Sequence, residues 1–438
     1  MRVRVVRARH FKGRTSAPGD KSISHRALIL AALSKGTCQV ENLAPGEDVR
    51  STAGCLVRLG VDIEMKVGSA TVRGTGGSLR PPTEVLDCGN SGTTMRLLSG
   101  VVAGGQVDAT MDGDSSLRRR PMSRILEPLR QMGAQALGRP GPTGGETAPL
   151  QFRRAVALAG KAHQLPIASA QVKGCLLLAG MSAEGETIVR EPAQSRDHTE
   201  RMLKAFGAPL GISEDGAISI RRPDQPLVVP GRLDVPGDPS SAAFLVAAAL
   251  LVPGSEVTID GVDVNPTRTG FFEALRRMGA SLGIESEGAQ AGEPTATIVA
   301  RSVSELRATE IKPKDIPALI DEVPILSVLA TQASGTTVIR GAGELRFKES
   351  DRLTQIATGL RAMGADVREL ADGLEIAGPS HLTGATIDSQ GDHRIAMSFA
   401  VAGLIAEGET QIENAQWADI SFPGFFELIG RFSEGAVW

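Results

Sequence analysis

The chain has 438 residues, 41% hydrophobic and 22% charged, with a formal net charge of −3. That length holds two or three domains with real cores, while the slight acidity, 3% aromatics and absence of tyrosine exclude a general nucleic-acid binder. Four scattered cysteines without CxxC spacing and six histidines without an HxxxH pair point to a reduced, cytoplasmic protein without a metal site.

In chain order, the opening MRVRVVRARH alternates cations with valines, which suits a strand rather than a signal peptide. No later run reaches the ~18 apolar residues of a membrane span. Next comes PGDKSISHRALILAALSKG, from Pro18 to Gly36, an apolar helix opened by Lys21, Ser22 and Arg26. Ser22 and Arg26 are four apart and share a face. The group reads either as a Ser-capped helix with two solvated cations or as a socket for phosphate or carboxylate. Asp20 between Gly19 and Lys21 breaks the spacing of a Walker loop. The frame returns from Pro236 as PGDPSSAAFLVAAALLVPG, without the Lys, His and Arg.

Two markers recur along the chain. Short segments ending in a bulky residue, Gly and often Ala place Gly60, Gly133, Gly207, Gly279 and Gly364 at intervals of 73, 74, 72 and 85, with a weaker copy at Gly430. Six apolar helices each end in Gly before a Thr/Val/Ile-rich stretch, as expected of a glycine at C′ and an exit into a strand. Six α/β units grouped three plus three follow, as two similar lobes. The first spans 20–235; the second spans 236–438 and takes residues 1–19 as a crossing strand.

The six helix openings differ: GDKSISHR, CGNSGTTMR, ASAQVK, GDPSS, IDEVP and GDHR. A helix N-terminus attracts anions, and several such ends could converge on a cleft between lobes. One loop later, Arg120, Arg196, Arg268 and Arg352 fall at comparable places. Asp321 and Glu349 are carboxylates set near Lys348 and Arg352, suited to acid–base work or to ordinary ion pairing. Together with Lys21, Arg26, Arg120 and Arg394, the cations suit a substrate with several negative charges.

Through PGDKSISHR, GNSGTTMR, LRRRPM, SAQVK, RDHTE, NPTR, IDEVPIL, LRFKESDR and GDHRIAM, the chain resembles the 5-enolpyruvylshikimate-3-phosphate synthase family along nearly its whole length. GDKS, SAQVK, RDHTE and NPTR resemble its class II subgroup. The resemblance implies the enolpyruvyl transferase fold, two lobes each of three βαβαββ units. It implies transfer of the enolpyruvyl group of phosphoenolpyruvate to the 5-hydroxyl of shikimate 3-phosphate, through a tetrahedral intermediate and without metal or organic cofactor. Lys21, Ser22, Arg26, Ser169, Ala170, Gln171, Arg196, Asp321 and Lys348 would bind shikimate 3-phosphate. Lys21, Asn90, Gly92, Arg120, Gln171, Arg352 and Arg394 would bind phosphoenolpyruvate, with Asp321, Glu349 and Lys21 catalytic. It also implies inhibition by glyphosate, a cytoplasmic monomer, and no nucleic-acid or membrane partner. Two departures stand out: Ser421 replaces a lysine common before the last FP, and Gly92 stands where tolerant members can carry Ala. The sister family acting on UDP-N-acetylglucosamine typically opens with Lys-Asn and carries a loop cysteine; here Ser22 follows Lys21, and DSSLRRRP has no cysteine. A non-catalytic anion binder of this fold would need broken catalytic positions.

Overall fold

The computed structural model describes residues 1–141 and 144–438. Its described strands form six sheets, five of which continue a parallel pair into an antiparallel hairpin; in the sixth, Thr386–Asp388 pairs parallel with Glu409–Glu413, which pairs antiparallel with Arg2–Val6. In the second repeat, Leu86–Asp87 pairs parallel with Ala109–Asp112, which pairs antiparallel with Glu146–Arg153, and that strand with Gln135–Pro140. The connecting helices are α1 (Lys21–Leu33), α2 (Gly92–Gly105), α3 (Ala170–Gly180), α4 (Pro239–Leu251), α5 (Val323–Ala330) and α6 (His393–Gly403). They are apolar on every side because they are enclosed on every side; all eight residues of α5 are buried.

Contacts divide the chain into two compact units, each with its own core. The N-terminal unit is Gly19–Pro236 with Ala289–Glu293, and the C-terminal unit is Met1–Pro18, Gly237–Gly288 and Pro294–Trp438. Strands that precede equivalent helices are exchanged. Lys12–Ser16, just before α1, pairs parallel with Glu256–Asp263 of the C-terminal unit. Arg232–Asp234, just before α4, pairs parallel with Lys35–Glu41 of the N-terminal unit.

A second set of helices explains the first marker. Glu47–Arg58, Ser123–Gln131, His198–Ala205, Gly270–Arg277 and Arg352–Ala362 are each followed by a cap residue and then Gly60, Gly133, Gly207, Gly279 or Gly364, all with φ between +77° and +99°. The next amide then closes onto a carbonyl five residues back, as Val61 N–H does to Leu56 and Ala134 N–H to Leu129. This is the Schellman closure, which needs a left-handed residue at C′ and so favours glycine.

The second marker reads differently in the structure. Gly36 lies inside the strand Lys35–Glu41 rather than at C′ of α1, whose cap residue is Ser34; Gly335 likewise lies inside Ala333–Ile339. These glycines, with φ of +113° and +105°, shape the strand entry and do not cap the helix. Gly430 lies inside the helix Phe425–Phe432, so the weak sixth copy is no cap either. No helix among the described residues is long and apolar enough to cross a membrane.

Candidate active site

In the N-terminal unit, α1 is capped by Asp20, whose carboxylate accepts from Ile23 N–H at 2.8 Å. That leaves the Ser22 hydroxyl outside the capping role. Arg26 is 3% exposed, so it is not a solvated cation. Its Nε donates to Thr199 Oγ1 at 2.7 Å and its Nη1 to the Ser22 carbonyl at 2.8 Å. Burial draws its proton affinity down to about 10, against the opposing field of Glu200. Lys21 Nζ lies 3.1 Å from Asp48 Oδ2.

The tips of α2 and α3 are stitched together by side chains. Arg96 Nη1 donates to Gln171 Oε1 at 2.6 Å, and Gln171 Nε2 to Thr93 Oγ1 at 2.9 Å. Arg120 Nη2 donates to Asn90 Oδ1 at 2.5 Å, and Asn90 Nδ2 to Asp114 at 2.6 Å. Between these two arginines sits Gly92, where a Cβ would stand 3.0 Å from Arg96 Nη1 and 3.2 Å from Arg120 Nη1. Ser91 and Ser169 cap α2 and α3. Ala170 opens α3, and Arg196 lies half-buried just before the helix His198–Ala205.

A buried hydrogen-bonded chain supports this face. His25 Nδ1 shares a hydrogen bond with Thr52 Oγ1, and Thr52 with Thr94 Oγ1, each 2.7 Å. Burial pulls the His25 pKa down to about 3, so the ring stays neutral in the folded protein. Unfolded, it takes a proton near pH 6.5, and stability present above that pH is lost as pH falls toward 3. From pH 7 to 5 the ring's share of that loss is about 2 kcal/mol. Urea unfolding at both pH values is expected to show His25→Gln lacking this share; an equal pH dependence in both proteins contradicts it.

In the C-terminal unit, one carboxylate is surrounded by cations. Asp321 Oδ1 lies 3.6 Å from Arg352 Nη1 and 3.7 Å from Lys348 Nζ, and its Oδ2 lies 4.0 Å from Arg394 Nη2. Arg394 Nη1 also donates to the Asp321 carbonyl at 2.9 Å. The Arg352 side chain is 1% exposed, 2.7 Å from Asp392 and 2.6 Å from Glu349. Burial alone would weaken its hold on a proton, but the carboxylates of Asp392, Glu349 and Asp321 outweigh it and raise its pKa. Asp392 in turn is held below its ordinary carboxylate value despite burial, because Arg352 faces it. It also caps α6 by accepting from Arg394 N–H at 3.0 Å, so one carboxylate sets two arginines.

The geometry joins residues that the sequence only placed in parallel. Asp321, Lys348, Glu349, Arg352 and Arg394 form one cluster, as do Gly92, Asn90, Arg120 and Gln171. Arg268 behaves otherwise: it is 2% exposed and its Nη2 donates to Asp238 and to Ser240 Oγ, both at 3.0 Å, so it supports the start of α4. Arg96, Thr199 and Asp392 escaped sequence reasoning. Arg96 had a signal, lying four residues after Gly92 and so on the same face of α2.

A cluster of this kind can hold several anionic groups while one carboxylate exchanges a proton. The family model "EPSP synthase (3-phosphoshikimate 1-carboxyvinyltransferase)" matches residues 6–429. A 3-phosphoshikimate 1-carboxyvinyltransferase of Brevibacillus brevis is 48% identical, with 99% of this chain and 100% of the relative covered. One of Synechococcus sp. (strain RCC307) is 51% identical, with 96% of each covered. The solved EPSP synthase of Acinetobacter baumannii superposes with a TM-score of 0.89 at 42% identity, over 100% of this chain and 99% of that one. The enolpyruvyl transferase NikO of Streptomyces tendae, at 19% identity and a TM-score of 0.78 over 100% and 98% of the two chains, shares the fold.

Proposed function

We propose a role for each site residue from one premise: the chain belongs to the EPSP synthase (3-phosphoshikimate 1-carboxyvinyltransferase) family. It is an enzyme that transfers the enolpyruvyl group of phosphoenolpyruvate to the 5-hydroxyl of shikimate 3-phosphate and releases phosphate, a step of aromatic amino acid biosynthesis. The full-length relatives favour this activity over transfer to UDP-N-acetylglucosamine.

The observation that carries the residue assignment is the Asp321 carboxylate within 4.0 Å of Lys348, Arg352 and Arg394. In our reading Asp321 takes the proton of the 5-hydroxyl as its oxygen attacks C2 of phosphoenolpyruvate, and Glu349 delivers a proton to the methylene C3. The tetrahedral intermediate then collapses as the C2–O bond to phosphate breaks and a proton leaves the new methyl group. Arg120, Arg352 and Arg394 hold the anionic groups of phosphoenolpyruvate, alongside Asn90 and Gly92. Lys21 and Gln171 serve both substrates. Ser22, Arg26, Ser169, Ala170, Arg196 and Lys348 hold shikimate 3-phosphate. Charged hydrogen bonds of this kind, preset by buried partners, stabilise developing charge without reorganisation. We place the enzyme in the cytoplasm as a monomer.

Glyphosate, an anion competing for the phosphoenolpyruvate groups, tests the Gly92 assignment. In Gly92→Ala the new methyl meets two guanidinium ends at 3.0 and 3.2 Å, so they give way by tenths of an ångström. The expected result is a glyphosate inhibition constant raised about tenfold or more, with a smaller rise in KM for phosphoenolpyruvate, since small misplacements at a fixed site carry such costs. An unchanged inhibition constant contradicts the assignment.

A further inference from the structure

Lys173 sits on α3, one turn after its cap Ser169, with its side chain 2% exposed. Its Nζ lies 2.7 Å from Glu191 Oε2 and 2.8 Å from Glu200 Oε1, and those side chains are 5% and 4% exposed. Desolvating such a cluster opposes folding unless the geometry compensates for it, and here each carboxylate holds a different segment. Glu191 accepts from Ser169 N–H at 2.8 Å, from the Ser195 hydroxyl at 2.9 Å and from Ser195 N–H at 3.4 Å. It thereby ties the α3 cap to the loop that carries Arg196. Glu200 follows Thr199, whose Oγ1 accepts from Arg26 Nε at 2.7 Å, and its charge acts on Arg26 directly. At Gly174, the residue after Lys173, a Cβ would stand 2.9 Å from Thr199 Oγ1 and 3.7 Å from Arg26 Nη2, so α3 packs directly on this support.

We propose that Lys173 is a positioning residue for recognition of the phosphate monoester of shikimate 3-phosphate: one buried ammonium, through Glu191 and Glu200, sets Ser169, Arg196 and Arg26 relative to one another. The inference rests on the assignment of those three residues to shikimate 3-phosphate made above. Lys173 touches no reacting atom in this account, so its loss acts on substrate affinity rather than on turnover.

The test is calorimetric titration of shikimate 3-phosphate, with steady-state kinetics, on four variants. Lys173→Met leaves two buried carboxylates without their cation, whereas Lys173→Met/Glu191→Gln/Glu200→Gln removes the charge together with its partners and keeps the fold testable. Both are expected to weaken shikimate 3-phosphate about tenfold, with kcat and KM for phosphoenolpyruvate changed much less. Arg196→Ala and Ser169→Ala probe the ligand assignment itself. If these two weaken the substrate and the Lys173 variants do not, the positioning role fails while the assignment stands. If Arg196→Ala and Ser169→Ala leave affinity unchanged, the assignment fails. Parallel losses of kcat and affinity in the triple variant also overturn the proposal, since they are what a merely structural lysine produces.

Discussion

Asp321→Asn is expected to lower kcat about 10³-fold while KM for both substrates stays within a few-fold, the range of a lost general base. The reason lies in what the substitution keeps and removes. The amide preserves the size of a group set between Lys348, Arg352 and Arg394, but it takes no proton at neutral pH. Losing the negative charge also leaves the three cations less neutralised, which favours rather than weakens anionic substrates. The effect therefore falls on turnover. Steady-state phosphate release measures it, and a variant with near-normal kcat would show that another group takes the 5-hydroxyl proton.

Arg352→Met is expected to cost about 3–5 kcal/mol of stability, the range for breaking a buried ion pair by removing one partner, along with a large rise in KM for phosphoenolpyruvate. Asp392 lies 2.7 Å from the guanidinium and is fully buried, so the lost arginine leaves an uncompensated carboxylate. Arg352→Met/Asp392→Asn separates the two effects. Asn is also a good helix cap, so the double variant is expected to recover most of the stability seen in urea unfolding while phosphoenolpyruvate still binds weakly. Recovery of both would mean that Arg352 serves the fold alone.

What the chain discloses before folding depends on whether a feature is local. The Schellman glycines are legible because a left-handed residue after a helix has a local signature. Gly36 misleads for the same reason: sequence shows a glycine between helix and strand, but not which side of the join holds the positive φ. The sequence already takes residues 1–19 as a crossing strand, whereas the pairing of Arg232–Asp234 with Lys35–Glu41 leaves little trace, because a parallel strand reads alike whichever neighbour it meets. At the site, charged residues at helix openings are visible, whereas their supports are not. Asp392, Thr199 and the Lys173–Glu191–Glu200 cluster look like ordinary helix-start and loop residues until long-range packing buries them. Ser22 and Asp20 are both fit to cap α1, and only the structure assigns that role to Asp20.

The most direct measurement is phosphate release on mixing the protein with shikimate 3-phosphate and phosphoenolpyruvate, run beside UDP-N-acetylglucosamine with phosphoenolpyruvate. One phosphate is expected for each 5-enolpyruvylshikimate 3-phosphate formed with the first pair, and none with the second. Release with UDP-N-acetylglucosamine but not with shikimate 3-phosphate would contradict this expectation.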